Sequence, residues 1–235
     1  MTDIYFIRHG QASFGTPDYD RLSELGIRQV NVLAEYLIDM EAYFAKIYSG
    51  TNRRQVETVD IMLNRFDADD IQTPYSKNSG LDEFDMIRFL NTHKEAVIRC
   101  VPEFAGELKS LAARPELFQS LLAKSLLAIT RQTGGGEAFE TFCPFRSRVL
   151  STVRKIVDES RTFKKTAVVT SGGVLAVIMQ HIYGLTDEAA VQWALQSYNA
   201  SITVCHVNGN TLEMKLENSV VHLRQTHDHT LLTWV

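Results

Sequence analysis

The chain has 235 residues, with 24 Lys and Arg against 28 Asp and Glu and a net charge of −4. That length suits one large α/β domain or two small ones. The acidic balance argues against generic nucleic-acid or anionic-membrane binding, which favours basic patches, and no apolar run approaches the ~20 residues of a membrane span. The start, Met1-Thr2-Asp3-Ile4, has neither the basic region nor the apolar core of a signal peptide. Cys100, Cys143 and Cys205 are widely spaced and odd in number, so they read as free thiols without a CxxC metal signature. The cytoplasm is the expected location.

In chain order, Ile4-Tyr5-Phe6-Ile7 is a short apolar run that ends in Arg8-His9-Gly10. Such a run predicts a buried strand leading into a loop. From Ser23 to about Met40, Leu25, Val30, Leu33, Leu37 and Met40 recur at helical spacing, with Ser23 placed as N-cap. A second strand is expected over Ala45–Ser49, a second helix over Arg53–Leu63 and a third strand over Ile71–Tyr75. The stretch 84–133 is helical in pattern, broken by Pro102 and Pro115, and reads as an insertion over the core. After Gly134-Gly135-Gly136 a long helix is predicted over Glu137–Glu159. A strand over Thr166–Thr170 follows, then a helix opened by Gly172-Gly173 and running through Tyr183. Ser201–Val207 and Thr211–Leu216 flank Asn208-Gly209-Asn210, a hairpin signal. Strands alternating with helices predict a three-layer α/β/α fold, one domain over 1–235 with a mainly parallel central sheet.

Arg8-His9-Gly10 at a strand end is the sharpest chemical feature. A neutral imidazole there can attack phosphorus, and the adjacent guanidinium can hold phosphate oxygens in its fork. Around it stand Leu22-Ser23-Glu24-Leu25-Gly26-Ile27-Arg28-Gln29, then Ser49-Gly50-Thr51-Asn52-Arg53-Arg54-Gln55-Val56-Glu57-Thr58. Leu81-Asp82-Glu83, Gly135-Gly136-Glu137-Ala138 and Val168-Val169-Thr170-Ser171-Gly172-Gly173 follow. In this order the chain resembles the histidine phosphatase (phosphoglycerate mutase-like) superfamily. The corresponding family blocks are Arg-His-Gly, Leu-Thr-x-x-Gly-x-x-Gln, Ser-Ser-Pro-Leu-x-Arg-Ala-x-Gln-Thr, Leu-x-Glu, Gly-Gly-Glu-Ser and Val-Val-Ser-His-Gly-Gly. Asn199–Thr203 and Val221-His222-Leu223 look like the family's C-terminal strands. Two departures stand out: Ser171 replaces the second active-site His, and Gly15 replaces the Asn that often follows Arg-His-Gly.

The resemblance implies a two-step reaction in which His9 takes the phosphoryl group and water then removes it. Arg8 and Arg54 would clamp the phosphoryl oxygens, with Arg53 at the variable position. Glu83 would be the general acid for the leaving oxygen. Ser171, Gly172 and Gln11 complete the expected substrate-binding set. Ser171 has two open readings: a helix N-cap, or a hydroxyl donor to the phosphate. No cofactor and no metal are expected; His227-Asp228-His229 reads as a solvated stretch, as do His93 and Lys94 in the insertion. The expected partner is a small phosphorylated metabolite, with no nucleic acid and no membrane, and the oligomeric state is unread.

Three functions compete: a phosphomonoester phosphatase, a mutase using the same phosphohistidine, and a degenerate member that binds a phosphorylated ligand without useful turnover. The family's Trp-Glu-Gly type block is absent after Glu83, where Phe84-Asp85-Met86-Ile87 stands; this weighs against the mutase. Ser171 and Gly15 motivate the degenerate reading, and retention of His9, Arg8, Arg54 and Glu83 counts against it.

Overall fold

The structure, a computed structural model, describes residues 2–13, 16, 18–85, 98, 124 and 142–234. Its strands are β1 (Thr2–Arg8), β2 (Lys46–Ser49), β3 (Tyr75–Lys77), β4 (Lys165–Thr170), β5 (Ile202–Asn208) and β6 (Thr211–Ser219). They form one six-stranded sheet in the order β3-β2-β4-β1-β5-β6. The β3, β2, β4 and β1 block is parallel, and the β5–β6 hairpin adds an antiparallel edge. The expected insertion over 84–133 lies outside the described residues, apart from Phe84, Asp85, Ile98 and Lys124.

Side chains alternate across a strand, so a strand covered on both faces must be apolar throughout. That is why Ile4-Tyr5-Phe6-Ile7 is a continuous run. Ile4 and Phe6 join Val168 against α3 (Phe142–Ser160) and α4 (Gly172–Tyr183), while Ile7 joins Ala167 and Val169 on the opposite face. That face is covered by Val30, Leu33 and Leu37 of α1 (Glu24–Asp39) and by Val59, Met62 and Phe66 of α2 (Arg53–Asp67). Burying such side chains contributes about 1.5–3 kcal/mol each. Beyond α4, a further helix α5 (Asp187–Gln196) leads back toward β5.

Ser23 caps α1 as the sequence predicts, its Oγ accepting the Gly26 N–H at 3.0 Å. Elsewhere the boundaries move. The helix expected to stop at Leu63 continues to Asp67, because Phe66 extends the buried face begun by Val59 and Met62. The strand expected over Ile71–Tyr75 is instead Tyr75–Lys77. Pro74 has no N–H for a ladder, so pairing starts after it, although its carbonyl accepts the Ile47 N–H at 2.8 Å. The start expected for α3 at Glu137 lies outside the described residues. Val221-His222-Leu223, expected as strand, is a short helix, α6 (Val221–Gln225). Helical spacing brings Val220 and Leu223 together with Leu231 under α1, where Leu25 and Val32 cover them. Among the described residues no helix is long and apolar enough to cross a membrane.

His222 is buried on α6 with its ring 5.5 Å from that of Tyr36. Burial lowers its pKa from 6.5 to about 4; the Ala200 backbone, outside hydrogen-bond geometry, opposes this slightly. Below pH 6.5 the unfolded chain therefore takes up a proton that the folded ring refuses. Stability falls as the pH drops through this window and levels off only near 4. The displacement corresponds to roughly 3 kcal/mol. His222→Phe should keep the stack and flatten the loss of stability between pH 7 and pH 4.5 in urea unfolding. Equal pH slopes in the variant and the parent would remove His222 from the account.

Candidate active site

Parallel pairing of β1 and β2 with β4 delivers three chain exits to one edge of the sheet. They are Arg8-His9-Gly10 after β1, Gly50–Arg54 after β2 and Ser171-Gly172-Gly173 after β4. In open α/β sheets the carboxyl edge of the strands is where ligands bind.

His9 is buried, its N–H donating to the Thr170 carbonyl at 2.9 Å and its carbonyl accepting the Ala200 N–H at 3.1 Å. The ring Nδ1 lies 2.7 Å from the Gly10 carbonyl, which can only accept, so Nδ1 is assigned the proton. Nε2 then carries the lone pair, and it accepts from Arg54 Nε at 3.0 Å. Burial, followed by the charges of Arg54 and Arg8, holds the His9 pKa well below 6.5 against the opposing pull of the Gly10 carbonyl. The imidazole is therefore neutral and nucleophilic in form.

The loop after His9 is pressed against α1. A Cβ on Gly10 would lie 2.6 Å from the Gly26 carbonyl oxygen, and one on Gly26 would overlap the Gln11 carbonyl. Only glycine permits this approach. Gln29 Oε1 accepts the Gln11 N–H at 2.8 Å, and Gln11 Oε1 accepts from the Ser23 hydroxyl at 2.8 Å. The Gln11 side chain is thus turned to the start of α1.

Arg54 stands in the first turn of α2 and pairs through one terminal nitrogen with Asp20. The other Asp20 oxygen takes the Arg53 N–H at 2.8 Å. Arg53 itself points to solvent, 53% exposed, with Asp18 and Glu57 as partners at 2.8 and 2.7 Å. Arg8 donates to the carbonyls of Ser197 and, at 3.1 Å, of Trp234. Its buried Nε has no partner among the described residues. A Cβ on Gly172 would lie 3.5 Å from that nitrogen. Burial above all, with the charge of Arg54, brings the Arg8 pKa down to about 10, while Glu83 and Tyr19 pull the other way. Arg8 keeps its charge at neutral pH.

Glu83 closes the other side. Its Oε2 accepts the Gly173 N–H at 2.9 Å, its Oε1 the Phe84 N–H at 2.8 Å, and its own N–H donates to Asn52 Oδ1 at 2.9 Å. Asp82 also holds Thr51, whose hydroxyl donates at 2.6 Å. The Glu83 loop is therefore sewn to the β2–α2 turn.

Ser171 stands at the N-cap position of α4 as expected, but it is fully buried and its side chain makes no capping bond. The Gly173 N–H at the second helical position is taken by Glu83, and the Ser171 Oγ accepts from Gln55 Nε2 at 2.7 Å. Gly15, His93 and Lys94 lie outside the described residues. Asp228 pairs with Arg28 at 2.6 Å and receives the Thr230 N–H at 3.0 Å, so it closes a surface turn between His227 and His229. Among the described residues no group of His, Cys, Asp or Glu is gathered for a metal ion. His9, Arg8, Arg54, Glu83, Ser171 and Gly172 thus share one edge. Sequence reasoning missed Asp20, Asn52, Gln55 and the carbonyls of Ser197 and Trp234. Gln55 and Asn52 left a signal, standing where the family pattern has Ala and Leu.

A buried neutral histidine beside two arginines thus stands at the carboxyl edge of a mostly parallel sheet in an α/β fold. The chain belongs to the histidine phosphatase superfamily (branch 1), whose family model matches residues 4–220. No curated protein matches it. Among solved structures, YhfR of Bacillus stearothermophilus aligns with a TM-score of 0.66 at 21% identity, covering 95% of this chain and 100% of that one. Phosphoglycerate mutase of Bacillus anthracis aligns at 0.67 and 18%, covering 97% of each chain. Phosphoserine phosphatase of Entamoeba histolytica, in complex with 3-phosphoglyceric acid, aligns at 0.63 and 16%, covering 95% and 100%. At these identities the likeness is one of fold.

The geometry separates the two neighbouring arginines. Arg54→Ala should weaken binding of inorganic phosphate about ten- to a hundredfold, as expected for a charged hydrogen bond. Arg53→Ala should change it less than about threefold, since exposed ion pairs contribute little. Calorimetric titration of both variants checks this, and equal losses with intact folding would overturn the assignment of Arg54.

Proposed function

We propose that this chain is a phosphomonoesterase that works through phosphohistidine on His9 and acts on a small phosphorylated metabolite. The observation that carries the reading is the orientation of His9: Nδ1 is tied to the Gly10 carbonyl, so the Nε2 lone pair is offered at the place where the Arg54 Nε–H points. The unpartnered Arg8 Nε beside Gly172 supplies a second donor for an anion.

In the first step Nε2 forms a bond to phosphorus while the bond from phosphorus to the ester oxygen breaks. Arg54 moves its donor from Nε2 to a phosphoryl oxygen, and Arg8 Nε donates to another. Such transfers leave the protein mainly positioning and charge stabilisation to supply. The carboxyl group of Glu83 provides the proton for the departing oxygen. In the second step water attacks phosphorus, passes its proton to Glu83, and phosphate leaves with Nε2 restored. Splitting one displacement in two lowers the barrier of each. Ser171 donates its hydroxyl proton to the bound phosphoryl group. A mutase would share the phosphohistidine; the sequence Phe84-Asp85 in place of a Trp-Glu-Gly type block favours the hydrolase.

Rapid quenching with labelled aryl phosphate should trap an acid-labile, base-stable phosphoenzyme. His9→Ala should form none, and a normal yield in that variant would falsify the assignment.

Because the His9 pKa lies well below 6.5, the ring stays neutral as the pH falls from 7 to 6. The kcat/KM profile reports groups of the free enzyme. It should therefore show no fall centred on pH 6.5 from the enzyme side, once the ionisation of the substrate itself is accounted for. A clear enzyme-side inflection at 6.5, lost on no other substitution, would mean that His9 titrates as an ordinary surface histidine.

A further inference from the structure

Of the positions at which the chain departs from the family pattern, the fold brings three into contact. Gln55 stands where the pattern carries Ala, Gly50 where it carries the second Ser, and Ser171 where it carries the second His. Gln55 and Ser171 are both fully buried. Gln55 Nε2 donates to the Ser171 Oγ at 2.7 Å and to the Leu81 carbonyl at 3.2 Å. A Cβ on Gly50 would overlap Gln55 Oε1, so the glycine leaves the room that the carboxamide occupies.

The direction of this unit is fixed by its acceptors. The Leu81 carbonyl cannot donate, so the amide nitrogen of Gln55 must face it, and both N–H groups are committed to oxygens. The Ser171 oxygen is then an acceptor toward Gln55, and its own proton remains to be given elsewhere. Gln55 Oε1 is buried without a partner among the described residues, and an unpaired buried acceptor is costly.

We propose that Gln55 is a positioning residue of the phosphoryl site: it fills the volume that an imidazole at position 171 would take, and it turns the Ser171 hydroxyl proton toward the bound phosphoryl group. The proposal rests on the phosphoryl site described above. The pair supplies one neutral donor that does not titrate, where a second histidine would add a charge dependent on pH. Arg8 and Arg54 remain the cations of the site. Through the Leu81 carbonyl, which also accepts the Thr170 hydroxyl at 2.8 Å, the same carboxamide braces the loop that carries Glu83.

The test compares Gln55→Leu, Ser171→Ala and the double variant. The readouts are the Kd of inorganic phosphate by calorimetry and kcat and KM on a chromogenic aryl phosphate. Each single change should weaken phosphate and lower kcat/KM by about two- to tenfold, the worth of one neutral hydrogen bond. The double variant should lose no more than the worse single, because the two residues act as one donor. Losses that multiply, or a Gln55→Leu protein that loses thermal stability but keeps its phosphate Kd and kcat/KM, overturn the positioning role. A second pair of variants tests the exchange of volume. Ser171→His should lower Tm by overpacking, and adding Gln55→Ala should restore it. The restored protein should bind phosphate more tightly at low pH than its parent does, because an imidazole there can take up a proton. A Ser171→His protein as stable as its parent overturns the shared volume. If the parent binds phosphate without turning over substrate, the esterase reading fails while the Kd arm still decides the role of Gln55. If it does not bind phosphate, both readings fall.

Discussion

Two guanidinium groups held in the protein around one imidazole are the constraint on which the site depends. Burying a charge is expensive unless it is paired. Arg8 meets this with two backbone carbonyls, of Ser197 and Trp234, and Arg54 with Asp20 and the lone pair of His9. The first is incomplete, since Arg8 Nε has no partner among the described residues. The same two charges, added to burial, keep His9 unprotonated. The cost of gathering the cations is thus tied to the neutral state of the imidazole between them.

That arrangement requires a rigid frame, and the sheet edge supplies it. His9 is fixed between the last carbonyl of β4 and the Ala200 amide, not carried on a free loop. Asp20 joins the N-terminus of α2 to Arg54, so the helix and the cation share one carboxylate. Glu83 takes the Gly173 amide at the start of α4. Each active group is bonded to an element other than its own, and displacement of one element moves the site as a whole.

A fully buried Ser171 leaves the site with fewer potential cations than a second imidazole would give. The neighbouring Gln55 adjusts to it by size and by hydrogen bonding, with Gly50 making room. Departures that look separate along the chain are therefore one local repacking.

The layers of the fold and the placing of His9 at a strand end were legible in the linear order. The continuous apolar run into Arg8-His9-Gly10, the periodicity of α1 with its Ser23 cap, and the parallel alternation follow from side-chain spacing, which is local. Where boundaries failed, tertiary contacts had overridden local pattern: Phe66 lengthened α2, Pro74 delayed β3, and the cluster of Val220, Leu223 and Leu231 made a helix of an expected strand. The sequence by itself determined which residue types meet at the strand ends, because parallel strands bring their carboxyl ends to one edge. Only the tertiary structure decided how each is used. That Ser171 bonds to Gln55, with no side-chain cap on its helix, depends on α2 lying against the end of β4, and that Arg8 rests on carbonyls of Ser197 and Trp234 depends on backbone atoms that every residue carries. Competition for a shared donor or acceptor is settled by distance in space, which residue identity does not encode.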